Sequence, residues 1–159
     1  MPSYFVCGSL VFSPVMREAV STYYRANPGI GVRNSPLITR SADWVRSPGE
    51  ELVVVTSPML PHRMTRGYGE PIGQVVESVN GTRIKNLRHL VETIRDCRDE
   101  FLTFRFAEEG AETLVFRRQA MIEATEPLMS QNGIPRRGSD DILPVWLMKR
   151  VADPVAKAQ

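Results

Sequence analysis

The chain is poor in the groups that do chemistry. Its 159 residues include two cysteines and two histidines. Cys7 and Cys97 lack C-x-x-C spacing, so no zinc or dithiol site is expected. Both lie among apolar residues and read as buried thiols. No apolar run approaches the ~20 residues that cross a bilayer, which argues against membrane insertion. The opening Met1-Pro2-Ser3-Tyr4-Phe5-Val6 has no basic stretch before an apolar one, so it does not read as a signal peptide. A soluble chain is expected. Charge of one sign is also scarce. Residues 1–79 hold 7 Lys/Arg against 6 Asp/Glu, and the remainder holds 13 against 12, for a net charge of +2. Without a basic run interleaved with aromatics, nucleic acid is not an expected partner.

Catalytic patterns are missing as well. A serine hydrolase needs a nucleophile, a base and an oxyanion hole within reach of one another. The Gly-Ser pairs, Gly8-Ser9 and Gly138-Ser139, belong to no G-x-S-x-G pattern. There is no P-loop, no G-x-G-x-x-G and no H-E-x-x-H. Adjacent carboxylates occur at Glu50-Glu51, Asp99-Glu100, Glu108-Glu109 and Asp140-Asp141, but at turns and element ends, where solvated charges are the ordinary reading. The chain is read as a non-enzyme with no catalytic residue, no metal site and no cofactor.

What is present is a succession of short strands and amphipathic helices. Tyr4 to Phe12 reads as a strand interrupted at Gly8-Ser9. Pro14 suits the first turn of a helix over 14–24. Residues 27–50 read as an irregular insertion with one short strand near Leu37-Ile38, pinned by Trp44. Glu51–Ser57 is a β-branched strand, and Pro58–Gly69 is a loop. The strand Gln74–Val79 runs into Asn80-Gly81, a pair suited to a tight turn because both residues tolerate positive φ. Thr82–Ile84 is the return strand. Asn86 can cap a helix over 87–98 whose stripe is Leu87, Leu90, Val91, Ile94 and Cys97. Phe101–Phe106 and 113–117 alternate as a hairpin. A last helix starts at Ala120–Ala124. Pro127 is expected to kink or restart it, and Asn132-Gly133-Ile134-Pro135 to stop it. Ile142, Leu143, Val145, Trp146 and Leu147 offer an apolar tail that docks on the domain or on a neighbour.

Four stretches, in order, resemble the C-terminal PDZ-like domain of Deg/HtrA-family serine proteases, most closely the plant-type Deg proteins. Pro2-Ser3-Tyr4 through Gly8-Ser9-Leu10-Val11-Phe12 is similar to their P-S-Y-x-x-x-x-G-L-V-F opening. Asn80-Gly81-Thr82-Arg83-Ile84-Lys85-Asn86-Leu87-Arg88-His89-Leu90 is similar to N-G-x-x-I-K-N-x-x-H-L. Asp96-Cys97-Arg98-Asp99-Glu100-Phe101-Leu102 is similar to S/D-C-K-D-x-Y-L. Gly133-Ile134-Pro135 with Arg137-Gly138-Ser139-Asp140 is similar to G-I-P-x-x-R-S-x-D.

The resemblance implies an α+β, PDZ-like fold. It would be a small bent antiparallel sheet or partial barrel capped by helices 14–24 and 87–98, with an extra C-terminal helix. The expected organisation is a PDZ-like domain over 1–118, a helical extension over 119–135 and a tail over 136–159. The protease domain of the family is absent from this chain. The implied function is peptide or protein binding by strand addition between the 9–12 loop and the 87–98 helix, regulating substrate capture or oligomer assembly. The implied contacts are Ser9, Leu10, Val11 and Phe12 in the carboxylate-binding loop, with His89 and Thr93 on the helix. The sequence leaves Leu10 and Phe12 open between loop and core, and His89 open between ligand contact and plain surface. Ser9 and Val11 stand where such a loop has glycines, and valine resists positive φ. That turns attention to the second reading: an oligomerisation element with a closed or neighbour-filled groove, assembled through helix 14–24 and the tail.

Overall fold

The structure, a computed structural model, describes residues 2–15 and 48–148. Most of helix 14–24, the strand near Leu37-Ile38, the placement of Trp44 and the end of the tail lie outside them.

Gly8 and Ser9 do more than interrupt a strand. They turn the chain back on itself, so that β1 (Phe5–Cys7) pairs antiparallel with β2 (Leu10–Pro14) in the register Cys7↔Leu10 and Phe5↔Phe12. Gly8 has φ +55°, which a two-residue hairpin turn with glycine first demands. Pro14 therefore ends a strand instead of starting a helix. It lies opposite Val53, and the Val15 N–H bonds the Leu52 carbonyl. β2 pairs on its far side with β3 (Val53–Val55). The sequence suggested a longer strand here; the observed strand is Val53–Val55, whose other edge meets Gln74 and Val75.

A second sheet has the order β5-β4-β6-β7, all antiparallel. β4 (Val76–Val79) and β5 (Thr82–Arg83) flank the Asn80-Gly81 turn. Asn80 sits at φ +48° and its side chain fastens the turn. Its amide donates to Asp99 and to the Phe101 carbonyl, while its oxygen accepts the Thr103 N–H. β6 (Phe101–Phe106) and β7 (Leu114–Arg117) complete the sheet, and Leu102, Phe104 and Phe106 all point inward. Phe12 stacks on Phe104 at 5.7 Å between centroids, so the two sheets share one core.

Among the described residues, three helices cover this framework. Helix α1 (Leu87–Asp96) is capped by Asn86, whose oxygen accepts the His89 N–H at 2.8 Å. Such a cap is worth about 1 kcal/mol. Its stripe of Leu87, Leu90, Val91 and Ile94 is buried as the periodicity predicts. The helix stops at Asp96, two residues early, and Cys97 is only half-buried beyond it. Helix α2 (Arg118–Gln131) passes through Pro127 without a restart. Proline there deletes one bond, to the carbonyl of Glu123, while Met121, Thr125, Leu128 and Met129 keep the helix seated. Gly133 (φ +67°) ends it. The Ile134 N–H reaches back to Met129 and the Gly133 N–H to Ser130, the Schellman arrangement. Helix α3 (Leu143–Leu147) follows. None of the described helices is long and apolar enough to cross a membrane.

Candidate functional site

In a strand-addition site, one strand edge must offer free N–H and C=O groups beside a helix. Here β2 is bonded along both edges, to β1 and to β3. The next edge out belongs to β1, and the tail takes it. The Val6 N–H donates to the Arg137 carbonyl at 2.7 Å, and Phe5 pairs with Gly138. The Tyr4 N–H donates to the Ser139 Oγ at 3.0 Å, and the Ser139 N–H returns to the Tyr4 carbonyl. Gly138 permits the approach: a Cβ there would stand 3.2 Å from the Tyr4 carbonyl oxygen.

From this pairing the chain crosses to α1. Arg95 donates to the Val145 carbonyl at 2.7 Å, and Ile142 and Val145 join the main core. The Trp146 ring meets Phe5 at 5.3 Å, and the Arg137 guanidinium lies 4.9 Å from the Trp146 centroid. Arg137 is largely buried, ion-paired to Glu126 at 3.4 Å, and its Nε has no partner. Residues 136–147 of the same chain thus run along the β1 edge and onto α1.

The hairpin turn is buried too. The Gly8 N–H, an amide of the kind that would face a ligand carboxylate, donates instead to Thr125 Oγ1 at 2.8 Å, and that hydroxyl donates to the Met121 carbonyl. The Ser9 carbonyl accepts the Leu60 N–H, and Ser9 Oγ is buried without a partner. Leu10 and Phe12 are core residues, and Val11 is half-buried in a second apolar cluster with Val6 and Leu128. Burial pushes the Cys7 thiol up to about 12, with the Arg137 charge opposing it, so the thiol is a packing group.

His89 and Thr93 lie elsewhere. They line a shallow cleft with Asn80, Thr82, Asp96 and Asp99, between α1 and the β4–β5 turn. His89 Nδ1 accepts the Lys85 N–H, and the Thr93 hydroxyl donates to the His89 carbonyl. Residues 9–12 thus lie in the hairpin and first sheet, and His89 and Thr93 on the side of α1 that faces this cleft. Two residues escaped the sequence reading. Thr125 carried a signal, a lone hydroxyl on the apolar face Met121-Thr125-Leu128. Arg137 carried only its place in the motif of the tail, because a charged residue in a polar stretch looks solvated.

Asp141 fastens the tail from outside. The Ser139 hydroxyl and then the Ser3 hydroxyl (2.6 Å) bond its carboxylate and hold it below the usual range. A carboxyl depressed in the folded state contributes stability that is full above its unfolded pKa and is lost as pH falls from there through its folded pKa. Glu108, raised by burial although both oxygens accept the Val75 N–H, works in the opposite sense and costs stability as pH rises. The tail should therefore loosen below about pH 4. The Ser139 amide resonance, followed by NMR, is expected to titrate there in the native chain and to stay flat in Asp141→Asn; identical curves would remove Asp141 from this role.

The profile of the PDZ domain family matches residues 1–141. The chain is 29% identical over 158 residues to "Protease Do-like 2, chloroplastic" of Arabidopsis thaliana, covering 99% of this chain and 24% of that protein. It is 29% identical over 148 residues to "Putative protease Do-like 11, mitochondrial" of the same plant, covering 92% and 21%. With "Putative protease Do-like 12, mitochondrial" it shares 26% over 135 residues, covering 84% and 22%. The chain thus spans about a quarter of the length of the curated relatives it matches. Its hairpin, its Asn-Gly turn with the helix that follows and the pairing of β1 with residues 137–139 all lie within the matched residues: the chain belongs to the PDZ domain family, in the form found in Deg/HtrA-type proteases.

Proposed function

We propose that this PDZ domain is the regulatory protein-interaction module of a Deg-type protease, with its strand-addition groove held in reserve. The observation that carries this reading is the seating of residues 136–147 along β1 and against α1. An extended partner segment adds where the tail now lies, so it must displace the tail and pair with the β1 edge. Leu10, Val11 and Phe12 then shape the groove from beneath, and the Gly8 amide is already satisfied by Thr125. The partner's free carboxylate therefore contributes nothing, and internal segments of substrates or of neighbouring subunits serve as ligands. His89 and Thr93 contribute to an outer rim of α1. The assembly reading shares this geometry, with a second subunit supplying the segment.

The test is NMR titration of the native chain and of Trp146→Ala with extended peptides, each prepared with a free and an amidated C-terminus. The native chain is expected to respond weakly. The variant should show shifts over Tyr4–Cys7 that are the same for both peptide forms. Shifts in the native chain at residues 9–12 that require the free carboxylate would replace this reading with an ordinary C-terminus reader.

A further inference from the structure

The β4–β5 turn holds a chemically reactive pair. An asparagine followed by glycine is open to attack on its side-chain amide by the next main-chain nitrogen, because glycine has no side chain to hinder the approach. The sequence has two such pairs, Asn80-Gly81 and Asn132-Gly133. The structure holds them differently.

Among the described residues, Asn80 alone takes positive φ without being glycine, at +48°. Its Nδ2 donates to the Asp99 carboxylate and to the Phe101 carbonyl, each at 2.8 Å, and lies 3.4 Å from the Cys97 Sγ. Its Oδ1 accepts the Thr103 N–H at 2.7 Å, and its own N–H donates to the Thr103 carbonyl. The side chain thus bolts the tip of one hairpin to the first residues of β6. Gly81 beside it is exposed, and a Cβ there would meet nothing within 4 Å. What protects the pair is therefore the set of side-chain bonds, not cover from water. Asn132 is exposed, and its side-chain amide donates to the Leu128 carbonyl.

We propose that Asn80 is a guarded deamidation site, whose conversion is an irreversible mark left by opening of the β4–β5 turn. The Gly81 nitrogen gives its proton to water and attacks the Asn80 Cγ. The new N–Cγ bond closes a five-membered succinimide while the Cγ–Nδ2 bond breaks, and the side-chain nitrogen leaves as ammonia. Water then opens the ring. Addition at Cγ leaves an aspartate; addition at the main-chain carbonyl leaves an isoaspartate, with the chain routed through the side chain. Water is the one reagent consumed, and nothing is oxidised or reduced. In the closed turn the carboxamide must first leave its partners, so the reaction waits for local opening.

The product cannot close the turn again. An aspartate has lost both N–H donors, so it sets a carboxylate against the Asp99 carboxylate and the Phe101 carbonyl, acceptors that then face an acceptor. An isoaspartate lengthens the main chain between β4 and β5 and disturbs the register Val79↔Thr82. Either product loosens the start of β6 and the wall of the cleft that His89 and Thr93 line. None of these bonds involves the tail, so the site stands apart from the groove reading.

The test follows the full chain by peptide mapping with mass spectrometry during incubation in mildly alkaline buffer, folded and in urea. In urea the two pairs are expected to convert at similar rates. In the folded chain Asn80 should convert at least about tenfold more slowly than in urea, because its side-chain bonds must open together, and more slowly than Asn132. The variant Asn80→Asp supplies one product uniformly. Its Thr103 amide should exchange hydrogen at least about tenfold faster than in the native chain. Adding Asp99→Asn returns a donor to the pair and should recover part of that protection. Conversion of Asn80 in the folded chain as fast as in urea, no conversion in either, or unchanged Thr103 exchange in Asn80→Asp would overturn the inference, as would a double variant no better protected than Asn80→Asp. The mapping needs no variant and decides the matter even where Asn80→Asp does not fold.

Discussion

Replacing Gly8 with alanine is expected to lower the stability of the domain by about 2–4 kcal/mol. Two effects combine. The turn holds Gly8 at φ +55°, which costs an L side chain about 1–2 kcal/mol. The added Cβ would also stand 2.4 Å from Met121 Cγ and 3.4 Å from the Met121 carbonyl oxygen, so α2 must shift or Met121 must change rotamer. Met121 is fully buried, and repacking it disturbs the Thr125 hydroxyl that satisfies the Gly8 N–H. Urea unfolding should show a lower midpoint with an unchanged slope. A loss below about 0.5 kcal/mol, the range of ordinary surface changes, would mean that the hairpin is not clamped by α2.

The second large effect falls on the tail. Trp146→Ala is expected to cost about 2–3 kcal/mol, less than a fully buried tryptophan because the ring is half-exposed. The variant strips cover from Phe5 and removes the ring over which Arg137 lies, worth about 1 kcal/mol by itself. The cost should be local. In native-state hydrogen exchange the Val6 and Ser139 amides, which pair β1 with the tail, should exchange about thirtyfold faster or more. Leu102 and Leu114, deep in the second sheet, should change far less. Equal acceleration everywhere would show that the tail opens only with the whole domain, and displacement by a partner would then be too costly to regulate anything.

The fold was legible where a signal was local. Asn80-Gly81 gave the turn, Asn86 the cap, and the 3.6-residue stripe of α1 its buried face, because each depends on residues a few positions apart. Gly133 likewise marked the end of α2. The misses share a different cause. Gly8-Ser9 looked like an irregularity within one strand, since period-two alternation resumes after it. Only the partner, α2 packed over the turn, decides that the chain reverses. Pro14 looked like a helix start because proline fits both a first turn and a strand end. Pro127 looked like a break because its lost bond is visible in sequence and the burial that offsets it is not. The candidate site divided in the same way. Leu10 and Phe12 alternated as strand residues and are core. His89 and Thr93 shared a helix face, but which element that face meets is a matter of topology. The apolar tail could be seen; its docking beside β1, far away in sequence, could not.

That pairing sets an order on how the domain is made. Tyr4 and Ser139 bond each other across 135 positions, so β1 waits for almost the last residues described. Contacts so distant in sequence carry a large loop-closure cost and form late. Until the tail arrives, β1 presents an open outer edge and an uncovered Phe5, the kind of surface that invites pairing with another chain. A nascent or freshly unfolded copy is therefore most exposed to misassembly at this strand, and closure of the tail ends that vulnerability.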